Sequence, residues 1–263
     1  MKFHKWSIGI LGVLIGFTIA FLKIENRSEI WKVKYSCVAD SCLVMMEPLE
    51  YTVIVVPLLM IAVILATRGD FNGNRILFYR SKMELFLMQV GKGIRWSLFI
   101  TFFYLLTILV YQMWNGQSIY NWDAKNSYFC IMNKEVFAGT GIEVFAGIFL
   151  LCMCRNLIIS MVIILSEWYF RHMLVGFLMV LSVCIFELAQ IEINVPIFLK
   201  RLSVNAVFWL SQSKRTEVAC SIGVYLLILC FLVKRVVEKK EFLDETFGKK
   251  SNSPGFKSRN QQS

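Results

Sequence analysis
Charge is scarce in this chain. Asp, Glu, Lys and Arg together make up 17% of its 263 residues, where a soluble domain carries about a quarter. That shortage excludes an ordinary soluble domain. Histidine is almost absent: only His4 and His172 occur, and they do not pair one helical turn apart, so a zinc-protease helix is excluded. No G-x-x-x-x-G-K-[ST] is present, so the chain carries no ATPase site of its own. The eight cysteines show no C-x-x-C with a second such pair or a histidine pair, and no metal site is expected. No intramembrane Ser/His/Asp set or paired Asp dyad appears, which argues against an intramembrane enzyme. Alternating ten-residue segments are missing, which excludes a β-barrel. No repeat of 20–50 residues is visible.

Apolar residues are plentiful. They make up 57% of the chain, and the mean hydropathy is +0.61. They fall into long runs separated by charge: Ser7–Leu22, Tyr51–Thr67, Trp96–Trp114, Val144–Ser166, Met173–Gln190 and Glu217–Val233. A helix needs about 20 such residues to cross a bilayer. The fold expected is an all-α polytopic membrane protein with six transmembrane helices. Residues 1–240 form the membrane domain and 241–263 a disordered cytosolic tail, rich in Ser, Asn, Gly and Gln. If the segments alternate sides with both termini cytosolic, the cytosolic ones hold seventeen Lys/Arg and the outer ones ten. This is the bias of a multi-pass protein of the cell membrane. It also accounts for the net charge of +10 without a nucleic-acid partner.

The most basic connection is Arg68–Arg95, with Arg68, Arg75, Arg80, Lys82, Lys92 and Arg95 against Asp70 and Glu84. Ser81 precedes Glu84 at capping-box spacing, and an apolar run follows. The pattern predicts a short surface helix over Ser81–Val90, interrupted by Gly91 and Gly93 before the third span. Helix spacing places Met83, Phe86 and Leu87 on one face. An ordinary juxtamembrane amphipathic turn is the plainer alternative. Gly12 and Gly16 form a G-x-x-x-G face suited to close helix packing. Pro57 predicts a kink in the second span.

Lys23–Glu50 reads as an outer loop in which Cys37 and Cys42 are candidates for a bridge. Val195–Leu199 and Val204–Leu210 are too short to span and read as re-entrant or interfacial helices before the sixth span. Arg155 stands in the middle of the fourth run. A cation there costs about 2.5–3.5 kcal/mol. Counted from the cytosolic span ends, Glu187 lies at a similar depth, and an Arg155–Glu187 pair is expected. The plainer alternative ends the span near Cys154 and leaves Arg155 at a water interface.

This layout resembles the ABC-2 type permease, the membrane subunit of type-2 ABC exporters. The shared features are six spans with cytosolic termini, a cytosolic helix between spans two and three, Val90-Gly91-Lys92-Gly93 at the entry to span three, short helices before span six and a basic exit after it. The resemblance implies a partner ABC ATP-binding subunit that holds the ATP, since this chain binds no cofactor. It also implies a second permease subunit, identical or different. Ser81, Lys82, Met83, Glu84, Phe86 and Leu87 become the ATPase-coupling helix. Export of a peptide or hydrophobic compound, or resistance to a peptide antibiotic, is the function implied. Two departures are Arg155 in span four and an N-terminal segment of only six residues before span one. A stand-alone membrane protein without an ATPase, such as an immunity or assembly factor, is the alternative.

The six-span topology has a direct check. With other cysteines removed, an impermeant thiol reagent added outside cells labels cysteines introduced near Asn121 and Ser211. It spares those near Asn72 and Asn252. Labelling at Asn72 refutes the arrangement.

Overall fold
Helices account for nearly all of the described structure. The computed structural model describes residues 5–27, 37–46, 48–71, 81–122, 139–170, 172–188 and 215–239, with the single positions 79, 125, 127 and 130. The helices are α1 (Lys5–Arg27), α2 (Val38–Met45), α3 (Pro48–Thr67), α4 (Lys82–Trp114), α5 (Gly141–Phe170), α6 (Met173–Leu188) and α7 (Arg215–Lys239). Among the described residues there is no strand, only an isolated bridge between Cys37 and Ser118.

Four helices, α1, α3, α4 and α5, are long and apolar enough to cross a membrane. This is a helical membrane protein. The expected fifth span is the shorter apolar helix α6, and the expected sixth coincides with α7, which is not among those four. The expected short helices over Val195–Leu210 and the tail 241–263 lie outside the described residues.

Two expectations are corrected. Lys23–Glu50 is not simply a loop. The first helix runs on to Arg27, α2 occupies Val38–Met45, and α3 begins at Pro48. Gly91 and Gly93 do not interrupt α4, which is continuous over 33 residues. A Cβ at Gly93 would lie 3.3 Å from both Ser160 and Ile164 of α5. The glycine lets the two helices approach, and that packing offsets its helix cost of about 1 kcal/mol. The fourth span, by contrast, is continuous as expected, and the alternative that it ends near Cys154 does not hold. It is one helix from Gly141 to Phe170, with Arg155 inside it.

The caps follow the sequence. Ser81 Oγ accepts the Glu84 amide at 3.1 Å and starts α4. Thr140 and Glu143 form a reciprocal capping box at the start of α5, each side chain accepting the other's amide at 3.4 Å. Within the apolar helices, the hydroxyls of Thr18, Thr67, Thr107, Ser160, Ser166 and Ser182 donate to carbonyls one turn back. Such bonds let a hydroxyl sit in an apolar layer without water.

Packing is closest where side chains are small. Gly176 of α6 abuts α5 so tightly that a Cβ there would meet Ser166 Oγ at 2.7 Å and the Ile163 backbone at 3.1 Å. Trp6 stacks on Trp96 with ring centroids 5.1 Å apart, which sets α1 and α4 level at that end. Gly12 and Gly16 are exposed, with nothing within 4 Å of an added Cβ. The G-x-x-x-G face of α1 therefore turns away from the other described helices.

These two kinds of glycine respond differently to alanine. Gly176→Ala overpacks a rigid contact and lowers stability by about 1–3 kcal/mol. Gly12→Ala and Gly16→Ala do not lower the stability of the isolated chain and raise it by up to about 1 kcal/mol each. Thermal unfolding in detergent measures both, and an unaltered Tm for Gly176→Ala contradicts the packing described.

Candidate functional site
Several buried polar side chains line one face of α5. Cys152, Arg155, Asn156 and Ser160 are all buried there, against α3 and α4. Tyr51 of α3 donates its hydroxyl to Asn156 Oδ1 at 2.7 Å and lies 3.0 Å from Cys152 Sγ. Asn156 Nδ2 donates to Thr101 Oγ1 at 2.9 Å, and Ser97 and Ser160 share a hydrogen bond at 3.0 Å. Tyr104 meets Tyr51 edge to face, ring centroids 5.8 Å apart. Side-chain hydrogen bonds of this kind hold helices together where lipid provides no hydrophobic drive between them.

The depth of this centre follows from α4. Tyr104 lies eight residues from Trp96 and ten from Trp114, about 12 Å and 15 Å along the helix at about 1.5 Å per residue. It sits inside the apolar layer. Its hydroxyl donates to the Met45 carbonyl, at the C-terminal end of α2. The other end of α2 lies near Ser118, just past Trp114: Val38 N–H donates to Ser118 O at 2.9 Å. So α2 enters from the Trp114 end and stops within the layer. Every one of its residues is buried, and α3 carries the chain on from Pro48 toward the Ser81 end, where Asp70 meets Lys92.

Arg155 meets that inner end. Its Nη1 donates to the Met46 carbonyl at 3.4 Å, and its Cζ lies 4.3 Å from the centroid of the Tyr51 ring. A helix leaves its last carbonyls without internal partners, and its C-terminus carries a partial negative charge. Cation and carbonyls each cost several kcal/mol alone in an apolar layer. Together, with about 2 kcal/mol from a desolvated cation–π contact, they offset one another. Arg155 also borders a cavity of about 230 Å³ between α5 and α6, lined by Ile158, Ile159, Val180, Val183 and Cys184 among others. Glu187 falls one turn beyond Cys184 in α6, but its side chain lies outside the described residues.

The outer end of α2 has its own polar ties. Trp122 Nε1 donates to Asp40 Oδ1 at 2.8 Å, and Cys37 Sγ to Asp40 Oδ2 at 3.2 Å. Gln112 Nε2 donates to Ser41 Oγ at 3.0 Å, and Ser41 Oγ to Gln117 Oε1 at 3.4 Å. Burial, and then the neighbouring Asp40 charge, push the Cys37 thiol up to about 12, so it remains a donor at neutral pH. Cys37 and Cys42 are both free thiols, and the candidate bridge is not formed. Five residues of helix turn about 140° past a full circle, so the two side chains diverge.

At the far end of α4, the six residues of the expected coupling helix divide. Ser81, Met83, Glu84 and Leu87 are exposed, and Lys82 is half-buried. Phe86 is 2% exposed and packs edge to face on Trp168, ring centroids 5.5 Å apart. It does not share an outer face with Met83 and Leu87. Trp168 also contacts Phe71 and donates Nε1 to Gln89 Oε1 at 2.6 Å. Lys92 reaches back to α3, with Nζ 2.7 Å from Asp70 and 2.9 Å from the Ala66 carbonyl. The pair is largely buried on the Asp70 side.

Asp40, Tyr51, Tyr104, Trp122, Cys152 and Asn156 carry this centre, and none stands out in the sequence. The one usable signal was the apolar run Cys42–Met46 beside them, too short to be read as a span. Among the described residues no group of His, Cys, Asp and Glu is arranged to hold a metal. No family model, curated protein or solved structure matches the chain.

The α2 end makes Arg155 testable. Arg155→Met strips the Met46 carbonyl of a charged donor and destabilises the protein by about 2 kcal/mol. Arg155→Lys, which keeps the charge, recovers part of that loss. Tyr104→Phe costs about 1 kcal/mol. Unfolding in detergent reads all three, and equal stability of Arg155→Met and the parent refutes the capping role.

Proposed function
We propose that this chain is the membrane-spanning permease subunit of an ABC-2 type exporter, with six spans and both termini in the cytosol. It works with a separate ATP-binding subunit and a second permease, in the cell membrane. One observation carries the reading. Helix α4 is a single rod from Ser81 to Trp114 whose N-terminal turns present exposed Met83 and Leu87 beyond the Trp96 end. Those turns are tied to α5 by Gln89 and Trp168 and to α3 by Lys92 and Asp70. A push on them moves three membrane helices together. In this reading ATP binds and is hydrolysed on the partner, and the present chain supplies the lever and the path. The substrate class is a peptide or another hydrophobic compound.

The docking surface is narrowed to Met83, Leu87 and the partly exposed Lys82, while Ser81 and Glu84 form the cap. Phe86 holds the lever to α5 through Trp168, so Phe86→Asp damages the fold itself and is a poor test. Leu87→Asp is the informative variant. Tagged parent protein purified from its native membranes carries ATP hydrolysis with it, and Leu87→Asp loses that activity with unchanged membrane yield and Tm. Parent protein devoid of ATPase, or a Leu87→Asp protein that keeps it, overturns the proposal and favours the stand-alone alternative.

A further inference from the structure
We propose that the cavity between α5 and α6 binds one acyl chain of a membrane lipid, drawn in sideways from the bilayer. The inference rests on packing within the chain and holds whether or not an ATPase drives the protein.

The cavity follows from how the two helices meet. At one end Gly176 leaves no gap: an added Cβ would lie 2.7 Å from Ser166 Oγ and 3.1 Å from the Ile163 backbone. From there α6 runs back along α5, and the facing residues are no longer small. Ile158, Ile159 and Val162 on α5 and Val180, Val183 and Cys184 on α6 stand around a space of about 230 Å³. Five of these six are β-branched, with few rotamers, and cannot fold over to fill it. The result is a wedge, shut at Gly176 and open toward Arg155.

The wall selects an apolar guest. A buried water needs two to four polar partners. The six residues offer none beyond a thiol, and Arg155 at the edge has its Nη1 on the Met46 carbonyl. An engineered apolar cavity of about 150 Å³ takes benzene, so this one has room for about eight or nine carbons. A helix, about 10 Å across with its side chains, is too thick to enter. A span of a second subunit is therefore excluded as the occupant.

The bilayer supplies the guest. Asn156 and Ser160 bond Thr101 and Ser97, which lie between Trp96 and Tyr104 on α4, so the cavity sits at the depth of lipid tails. Met179 lines the cavity and is itself 49% exposed, beside the outward apolar face formed by Leu174, Leu178 and Ile185. Tails of the surrounding lipid lie against that face, and Met179, unbranched and flexible, stands at the mouth. A chain seated there completes the packing of α5 on α6 and keeps water from Arg155. It can also slide out when the helices shift, which a packed side chain cannot.

The test uses the full-length protein in vesicles of phosphatidylethanolamine and phosphatidylglycerol. The probe is a phosphatidylglycerol with a diazirine midway along one acyl chain, activated by light, and its adducts are located by mass spectrometry. Adducts are expected to concentrate on residues 158–162 and 179–184, several-fold above Leu174, Leu178 and Ile185. Val180→Phe fills the cavity and lowers those adducts about tenfold. Leu178→Phe, on the outward face of the same helix, leaves them unchanged. Thermal unfolding shows whether each variant is folded, and if Val180→Phe is not, the distribution on the parent decides alone. Adducts spread along the outward face with no excess at the cavity report ordinary boundary lipid and overturn the site. Cavity adducts that a folded Val180→Phe protein retains in full overturn it as well.

Discussion

The contact between Arg155 and the inner end of α2 is the constraint around which the middle of the bundle is arranged. A cation at that depth is expensive, and so is a helix that ends in an apolar layer. Neither is tolerable alone, and each supplies what the other lacks. The guanidinium donates to Met46 and rests on the Tyr51 ring, while Tyr104 takes Met45. From that point the remaining network spreads outward: Tyr51 to Asn156, Asn156 to Thr101, Ser160 to Ser97. All of these bonds cross between helices. They fix the register of α3, α4 and α5 in a medium where apolar surface alone would let them slide.

At the other end the same three helices are joined by different chemistry. Lys92 and Asp70 tie α4 to α3, and a cluster of Phe71, Phe86 and Trp168 with Gln89 ties α4 to α5. Aromatic rings are stiff and bury much area, so this cluster resists bending more than a set of aliphatic contacts does. The bundle therefore has an aromatic end near Ser81 and a polar centre beneath α2. Under the exporter reading, force enters at the first and does its work at the second. The apolar cavity between α5 and α6 leaves room beside Arg155 for the adjustment.

The long helices were legible because lipid imposes a length and a composition that a sliding window detects. α1, α3 and α4 follow from uninterrupted apolar runs, α5 from one broken only by Arg155 and Asn156, and the start of α4 from Ser81 and Glu84. α2 escaped for the opposite reason. Its eight residues are mostly apolar but too few to cross a bilayer, so no span-length window registers them, and Asp40 and Ser41 break the run. Gly91 and Gly93 looked like breaks because glycine weakens an isolated helix, yet in Gly93 the missing side chain is what brings α5 close. Arg155 was recognisable as a group in need of a partner. Depth counting could point only to another side chain, Glu187. The Met46 carbonyl was invisible to such counting, since backbone acceptors occur at every position and only the fold selects one.

The shortness of α2 bears on how the protein is made. An insertion machinery that releases apolar segments sideways into lipid accepts spans of about 20 residues, and α2 offers eight. It leaves the ribosome before α4 and α5, the helices that bury it, have been synthesised. Its open carbonyls and Asp40 must stay hydrated until both walls and Arg155 have arrived. Seating α2 then waits on the synthesis of α5, an order set by the chain's own sequence. A truncation after α4 leaves this segment with no place to go.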